Sequence, residues 1–387
     1  MNRKFRISFV ITGLGSNGAE MMLLKLLSNI NRDVFEPKVT SLLAYATLRE
    51  KFEQIGIPVT VLGLKPGIPD PRGLFKLIHM FRKDKPQLVQ TWMYHADLAG
   101  GLAAKLAGNI PVVWNIRHSN LDPEVDKKTT VWTAKVCSRI SSVLPHKIIC
   151  CAEKAKNIHV KLGYDAKKIV VIPNGFDLSQ FSFDTHAKDS IRAELSIPND
   201  SIVIGLVARY HPQKDHDTFF KAADLLKRRF PNVHFVLCGY DITRENPDLL
   251  RSMSGKNLDG SVHLLGLRKD ISAVTAAFDI ATSSSRCGEA FSNTIGEAMA
   301  CGVPAVVTDV GDSAYIVGET GRIISPGQPE DLCRAWQELI DLGQKGRATL
   351  GALGRQRIQD RFSVDKIARQ YEKIYSDILC PNMESKS

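Results

Sequence analysis

The chain has 387 residues, of which 44% are hydrophobic and 24% charged, with a formal net charge of +10. That length exceeds one comfortable core and fits two domains of ordinary soluble composition. Residues 1–182 hold 26 Lys and Arg against 14 Asp and Glu, the remainder 25 against 27, so the N-terminal half suits an anionic surface or substrate.

Taken in chain order, Ile7–Thr12 reads as a strand, Gly13–Gly18 as a loop and Ala19–Leu27 as an apolar-striped helix. Short β-rich runs follow at Lys38–Leu43, Val59–Leu62, Leu88–Thr91, Val112–Asn115, Lys147–Cys151 and Ile169–Ile172. Helical stretches at Thr47–Ile55, Gly73–Arg82 and Ala96–Ala107 lie between them. Short apolar strands alternating with helices predict a parallel sheet covered on both faces. The pattern weakens over Pro173–Asp200, which reads as a linker.

A second α/β run begins at Val203–Ala208. Its strands are predicted at Val233–Cys238, Val262–Leu265, Phe278–Ala281, Ala305–Thr308 and Arg322–Ile324. Helices are predicted at Asp217–Arg229, Ile271–Ala277, Ser292–Ala300 and Glu330–Leu339. The last helix, Ser363–Leu379, carries an apolar stripe that needs a partner surface, and the tail from Pro381 reads as frayed. The expected organisation is residues 1–180, residues 181–362, and a C-terminal helix and tail over 363–387. Two α/β domains imply a cleft between them as the place for a ligand.

Several classes are excluded. No stretch approaches the run of about 18 apolar residues that spans a bilayer. No nucleic-acid module is present. The eight cysteines include no Cys-x-x-Cys, and Asn2–Arg6 passes straight into the first strand without a signal peptide. Reduced cysteines in a cytoplasmic protein are expected.

Chemistry concentrates in the second half. In Gly205-Leu-Val-Ala-Arg-Tyr-His-Pro-Gln-Lys-Asp215 a buried strand runs into a basic loop. Open α/β sheets bind ligands beyond the carboxyl ends of their strands, which puts Arg209 and Lys214 where a diphosphate would lie. Arginine offers a planar fork and lysine a mobile point charge. The bland alternative is a solvated loop. In Cys287-Gly-Glu-Ala-Phe-Ser-Asn-Thr-Ile-Gly-Glu297 two glutamates, Glu289 and Glu297, stand eight positions apart. Ser292, Asn293 and Thr294 would open a helix whose free N–H groups favour phosphate. Glu289 would lie in the preceding loop and Glu297 in the helix, unless they merely face solvent and cap the helix. Asp215-His-Asp217 offers an Asp-x-Asp, but Asp217 is better read as an N-cap. No zinc set is legible among Cys238, His234 and His211.

These segments resemble the retaining glycosyltransferases with two Rossmann-like domains, the large family 4 of that class. The resemblance runs through Glu-Ala-Met-Ala-Cys-Gly-Val-Pro304 to Asp312, covers Val207–Lys214 and Val171–Asp177, and includes Gly13-Leu-Gly-Ser-Asn-Gly-Ala-Glu20. It implies the GT-B fold, an α/β architecture of two Rossmann-like domains facing each other across a cleft. The C-terminal helix is expected to cross back to the N-terminal domain. It implies a retaining, hexosyl-type transferase that moves a sugar from a nucleoside-diphosphate sugar, UDP favoured over GDP, to a saccharide or lipid-linked saccharide, with no metal or other cofactor.

By the same resemblance, Arg209 and Lys214 hold the diphosphate and Glu289 the donor sugar. Glu297 binds the ribose. Phe291, Ser292 and Asn293 surround sugar and phosphate through their backbones, and Arg268 flanks the base. Gly15 and Gly18 belong to a loop that closes on donor or acceptor. His118 matches a histidine placed near the donor sugar. One departure is Glu289-Ala-Phe-Ser292, where Glu-Gly-Phe-Gly is commoner.

On the acceptor side, Thr91-Trp-Met-Tyr-His-Ala-Asp97 ends a strand with Tyr94, His95 and Asp97, and Arg117 precedes His118. Packing could equally explain Trp92 and Tyr94. Gly13-x-Gly15-x-x-Gly18 also fits a dinucleotide fingerprint, but Asp33 and Glu36 fall before the second strand instead of at its end. Basic, partly apolar stretches at Gly73–Lys85 and Lys127–Lys147 suit an anionic membrane surface at the inner face of the cytoplasmic membrane. The rival readings are a nucleotide-sugar epimerase and a noncatalytic sugar-nucleotide binder.

Overall fold

The computed structural model describes residues 4–66, 70–119, 121 and 127–381. The end of the tail expected to fray, residues 382–387, lies outside them. The chain divides into two compact units. Unit 1 is Met1–Gly175 with Val364–Ser387, and unit 2 is Phe176–Ser363.

Unit 1 holds seven strands: β1 (Phe5–Ile11), β2 (Phe35–Leu43), β3 (Val59–Leu64), β4 (Leu88–Trp92), β5 (Val112–Ile116), β6 (Lys147–Cys150) and β7 (Ile169–Val171). They pair in parallel in the order β3-β2-β1-β4-β5-β6-β7. β4 and β5 are buried at every residue, as strands covered on both faces must be. The stripe of helix Val364–Leu379 finds its partner here. Tyr371 stacks on Trp92 at 6.1 Å between centroids, and Tyr375 meets Phe9 and Phe35 edge-on at 6.2 and 5.9 Å. Its return to unit 1 is the crossing expected of the C-terminal helix.

Unit 2 holds β8 (Ile202–Val207), β9 (Val233–Cys238), β10 (Val262–Leu264), β11 (Ile280–Ser283), β12 (Ala305–Thr308) and β13 (Gly321–Ile324). All pairings are parallel, in the order β10-β9-β8-β11-β12-β13. In their own chain order the two sheets run 3-2-1-4-5-6-7 and 3-2-1-4-5-6, the doubly wound arrangement.

Three expectations need correction. Helix Thr185–Glu194 occupies what reads as linker. Asp184 caps it by accepting from Ala187 N at 3.0 Å, and ion pairs of Lys188 and Arg192 with Asp279, at 2.9 and 2.6 Å, fasten it. Helix Gly343–Arg361 has no expected counterpart. Its buried positions are Arg347, Gly351, Gly354 and Ile358, so it approaches through small residues that leave no apolar stripe to read. The cap of helix His216–Lys227 is Asp215, not Asp217. Asp215 accepts from Thr218 N at 3.2 Å, while Asp217 pairs with Lys221 at 2.7 Å.

Asp97 is also misplaced as an acceptor-binding residue, because its side chain is fully buried. Oδ1 accepts from the Thr91 hydroxyl at 2.5 Å and from Asn115 N at 3.4 Å, and Oδ2 has no hydrogen-bond partner. Burial pushes its carboxyl well above the usual aspartate range, against the two hydrogen bonds. Of the eight cysteines, all free, six are buried and Cys287 and Cys380 are half-buried. Burial raises the Cys238 thiol to about 11 and that of Cys301 to about 12.

Two predictions follow from this packing. A β-carbon at Gly351 would stand 1.8 Å from the Gly302 carbonyl oxygen, whereas one at Gly354 would meet Met299 Cε at 3.6 Å. Denaturant unfolding should show Gly351→Ala costing about 3 kcal/mol, the upper end of overpacking. Gly354→Ala should be neutral or gain up to about 1 kcal/mol from helix propensity. Asp97, whose folded pKa is raised, contributes stability below the ordinary value of 3.8 that is lost as pH rises towards its folded pKa. Asp97→Asn keeps the Oδ1 acceptor without the charge, so its stability relative to wild type should rise between acid and neutral pH. A constant difference across that range would refute the assignment of a raised pKa.

Candidate active site

In unit 2 the strand order reverses between β8 and β11, and the loops leaving both strands meet there. The β8 loop carries Arg209, exposed, and Lys214, half-buried, at the end of the short turn Pro212–Lys214. The Ser284 hydroxyl of the β11 loop donates to Lys214 O at 2.8 Å, and Arg286 N donates to Gln213 O at 2.7 Å. Asp215, at φ +50°, accepts from Arg286 Nε at 3.1 Å besides capping its helix. The two loops are thus stitched through backbone and side chain.

This stitching delivers Glu289 to Lys214. The Lys214 ammonium donates to Glu289 Oε1, and the Ser285 hydroxyl donates to the same oxygen at 2.9 Å. Burial alone would raise the Glu289 carboxyl. The Lys214 charge and hydrogen bond, the Ser285 hydroxyl and the Arg209 charge outweigh it, so the pKa falls below the usual glutamate value. Two glycines set the loop. Gly288, at φ +76°, has the Gln213 amide 2.5 Å from where a β-carbon would stand. Gly311, at φ +61° after β12, would place one 2.2 Å from Glu289 O. Asp312 N donates to Ala290 O at 2.9 Å and closes the loop from that side.

Helix Asn293–Ala300 follows, with Ser292 as a buried cap residue and Asn293 and Thr294 half-buried in the first turn. The Phe291 side chain packs inward, stacked on Phe176 at 6.0 Å, leaving its backbone to the loop. Gly296 lies against the same Phe176 ring, where a β-carbon would come within 1.9 Å. That contact seats the helix, in which the next residue, Glu297, is half-buried. Arg268, after β10, is held by Glu194 at 2.6 and 3.0 Å and by Asp270 at 2.7 and 2.8 Å.

In unit 1 the strand order reverses between β1 and β4. Tyr94 and His95 open helix Tyr94–Gly108, and Arg117 and His118 follow β5. All four line one cavity of about 720 Å³. Tyr94 stands edge-on to His118 at 6.4 Å between ring centroids. Its hydroxyl lies 2.7 Å from His159 Nε2, and His159 Nδ1 lies 2.6 Å from Ala155 O. A carbonyl only accepts, so Nδ1 carries the proton and Nε2 accepts from Tyr94. Burial lowers His159 to about 4, which keeps the ring neutral. Burial and the Lys127 charge lower His95. Arg117 donates to Asn174 Oδ1 and lies over Trp92 at 5.1 Å. Trp92 itself is core, its indole N–H donating to Ala19 O at 3.0 Å.

The glycine loop meets a carboxylate. Glu20, in the first turn of the helix that Gly18 opens, is buried, and burial raises its pKa. Its Oε1 would lie 3.5 Å from a β-carbon at Gly15.

Arg209, Lys214, Glu289 and the start of helix Asn293–Ala300 therefore gather at one switch point. His95, Tyr94, Arg117 and His118 gather at the other, without Asp97. Ser285, Asp215, Gln213, Gly311 and His159 shape these sites and stood outside the expected set. Their sequence signals were the run of small residues at Ser283–Ser285, the Asp-x-Asp, and, for Gln213 and Gly311, their place inside the resembling segments; His159 had none. Among the described residues, no group of three or more His, Cys, Asp or Glu could hold a metal ion, and no helix is long and apolar enough to cross a membrane.

Comparison with known proteins matches each unit separately. Residues 16–180 match Glycosyltransferase Family 4, and residues 201–341 match Glycosyl transferases group 1. An Escherichia coli UDP-Gal:alpha-D-GlcNAc-diphosphoundecaprenol alpha-1,3-galactosyltransferase is 27% identical over 317 residues, 81% of each chain. The Staphylococcus aureus capsular polysaccharide biosynthesis glycosyltransferase CapM is 25% identical over 80% of this chain and 82% of its own. The crystal structure of Anabaena Alr3699/HepE in complex with UDP superposes with a TM-score of 0.85 at 24% identity, covering 96% of this chain and all of that one. With both units matched in order and the fold shared, the chain is a GT-B glycosyltransferase related to the family 4 and group 1 enzymes of bacterial polysaccharide and glycoconjugate assembly.

Proposed function

We propose that unit 2 binds a nucleoside-diphosphate sugar, with UDP as the favoured nucleotide. The protein then transfers the sugar, with retention of anomeric configuration, to a saccharide or lipid-linked saccharide. The observation that carries this reading is the convergence of Arg209, Lys214 and Glu289 beside the start of helix Asn293–Ala300 at the switch point of unit 2. UDP is supported by the UDP-Gal donor in the name of the E. coli relative and by the UDP in the Anabaena complex.

Each group has a chemical role. Arg209 and Lys214 neutralise the diphosphate, and the N–H groups of Ser292, Asn293 and Thr294 receive it at the helix start. Glu289 accepts from donor-sugar hydroxyls, and Glu297 accepts from the ribose. Transfer proceeds on one face of the sugar. The bond from the anomeric carbon to the phosphate oxygen breaks, the acceptor oxygen bonds to that carbon, and the acceptor proton passes to the leaving diphosphate. A carboxylate near the anomeric carbon stabilises positive charge developing there. From unit 1, His118, Tyr94, His95 and Arg117 serve the acceptor and the transferred sugar. No metal enters this scheme, and we propose that the enzyme works in the cytoplasm, peripheral to the inner membrane face.

A hydrolytic reading is disfavoured by Glu289 itself. A retaining glycosidase would use it as a nucleophile beside a second carboxyl acid, whereas the cations beside it, Lys214 and Arg209, favour an activated diphosphate donor. A panel of UDP- and GDP-sugars with lipid-linked acceptors, read by nucleotide release and product mass, tests the proposal. An altered donor without an extended acceptor would identify an epimerase, and an intact donor that still binds would identify a noncatalytic binder.

Two variants sharpen it. Glu289→Gln should lower kcat on the order of 10²-fold while leaving the unfolding midpoint within about 1 kcal/mol of wild type; undiminished transfer would remove Glu289 from the donor sugar. Lys214→Met should weaken donor use and cost about 1–3 kcal/mol, because a mostly buried carboxylate loses its cation. The sign with pH is defined. In wild type the lowered Glu289 pKa contributes stability above 4.5 that is lost as pH falls through the folded pKa. Without Lys214, its charge and hydrogen bond no longer oppose burial, so that contribution shrinks. The deficit of Lys214→Met should therefore be larger at pH 7 than at pH 4, and equal deficits at both would show that the pair carries no such linkage.

A further inference from the structure

Arg268, in the loop after β10, stands between two carboxylates. Its Nε and Nη2 donate to Asp270, and its Nη1 and Nη2 donate to Glu194. A guanidinium offers N–H groups in a fixed fork, and this fork is spent on the protein's own carboxylates. The triad of one cation and two anions is net negative, so it offers a phosphate no free charge.

Both carboxylates forgo the ordinary roles of their positions. Asp270 holds the cap position of helix Ile271–Ala276 and makes no cap hydrogen bond. Glu194 is the last residue of helix Thr185–Glu194, where the helix dipole disfavours an anion. That helix is docked without it, because Lys188 and Arg192 already pair with Asp279. What Glu194 holds is the β10 loop.

This loop is laced to the other strand ends of unit 2. Gly266, at φ +61°, accepts from Gly239 N at 2.8 Å and donates to Ile242 O at 2.9 Å. In the same β9 loop Tyr240 O accepts at 2.8 Å from the N–H of Tyr210, the residue after Arg209. Hydrogen bonds thus run from the β10 loop through the β9 loop to the cationic loop of β8. On the opposite side, Gly311 and Asp312 close against Glu289 and Ala290. A nucleotide whose diphosphate lies at Arg209 and Lys214 therefore extends over β9 and β10. There Leu267 and Tyr240 are 73% and 64% exposed, apolar and aromatic surface for an uncharged planar ring.

We propose that Arg268 is a positioning residue and not a ligand: with Asp270 and Glu194 it pins the β10 loop to helix Thr185–Glu194, and the pinned loop receives the nucleobase. Glu194 then governs nucleotide affinity without touching the nucleotide. The inference rests on the nucleotide reading of unit 2 and adds the device that fixes its base end.

The two roles of Arg268 differ in sign. If it were a ligand, Glu194→Ala and Asp270→Ala would release its N–H groups and remove negative charge beside an anion, and UDP would bind more tightly. As a positioning residue it loses its anchor, and UDP binds more weakly. Calorimetry on the full chain, with UDP and inorganic diphosphate as probes, reads the sign. Each variant should raise the Kd for UDP about fivefold and leave that for inorganic diphosphate within about twofold. The KM for a UDP-sugar should rise by a similar factor with kcat unchanged, because the loop is remote from the bond that breaks. Both carboxylates are close to half exposed, and thermal melts check that the variants stay folded. Tighter or unchanged UDP binding overturns the positioning role, as does an equal loss for UDP and inorganic diphosphate, or a fall in kcat without a rise in KM. Those results leave the donor reading standing. A wild-type chain that binds no nucleoside diphosphate overturns the donor reading itself, and the positioning role with it.

Discussion

β8 and β11 pair in parallel through Ile204 with Ile280 and Gly205 with Ala281, and the chemistry of unit 2 depends on that adjacency. The strands are far apart in sequence, and their neighbours lie on opposite sides. The connections leaving them therefore diverge and open a crevice at their carboxyl ends. Gly205 makes the pairing possible in its packed surroundings, because a β-carbon there would stand 2.1 Å from the Phe278 ring. Once the strands are side by side, the turn at Pro212–Lys214 and the loop at Ser284–Glu289 share hydrogen bonds, and an ammonium and a carboxylate are fixed together. The ion pair follows from topology, then from small residues, and last from its own charge.

How much of this was readable in the sequence differs by kind of signal. Parallel strands announce themselves as short apolar runs, and all thirteen stand at or within a few residues of their expected places. Arg209, Lys214 and Glu289 were legible as candidates because they lie in the loops that leave the buried strands β8 and β11. Helices without an apolar stripe were not legible. Thr185–Glu194 is held by ion pairs to Asp279, a residue about ninety positions away, and Gly343–Arg361 by glycines against backbone. Asp97 misled for the opposite reason: it follows a strand end beside the half-buried His95, yet the helix turns it back under Thr91 and Asn115. A strand-end position predicts exposure of the loop, not of each side chain in it.

Unit 1 repeats the same sheet order for a different purpose. Its switch point has a carboxylate, Glu20, within the glycine loop, where a dinucleotide enzyme would present free N–H groups to a pyrophosphate. Arg117, after β5, and Lys127 line its cavity together with Leu98 and Leu102 of helix Tyr94–Gly108. The neutral His159 fixes Tyr94, and Tyr94 in turn confines the His118 ring. One topology thus supplies two different sets of strand-end residues, an ion pair in unit 2 and a histidine–tyrosine cluster in unit 1.

The distribution of thiols gives the molecule a built-in reporter. Six cysteines are sealed in the two cores, while Cys287 is half-buried and sits two residues before Glu289 in the loop set by Gly288. A maleimide or a fluorinated alkylating agent would meet little competition beyond Cys380, in the last turn of chain after helix Val364–Leu379. Replacing Cys380 alone would leave a single addressable sulfur beside the loop proposed to hold the donor. Its labelling rate would then serve as a direct clock of ligand occupancy, read without any turnover.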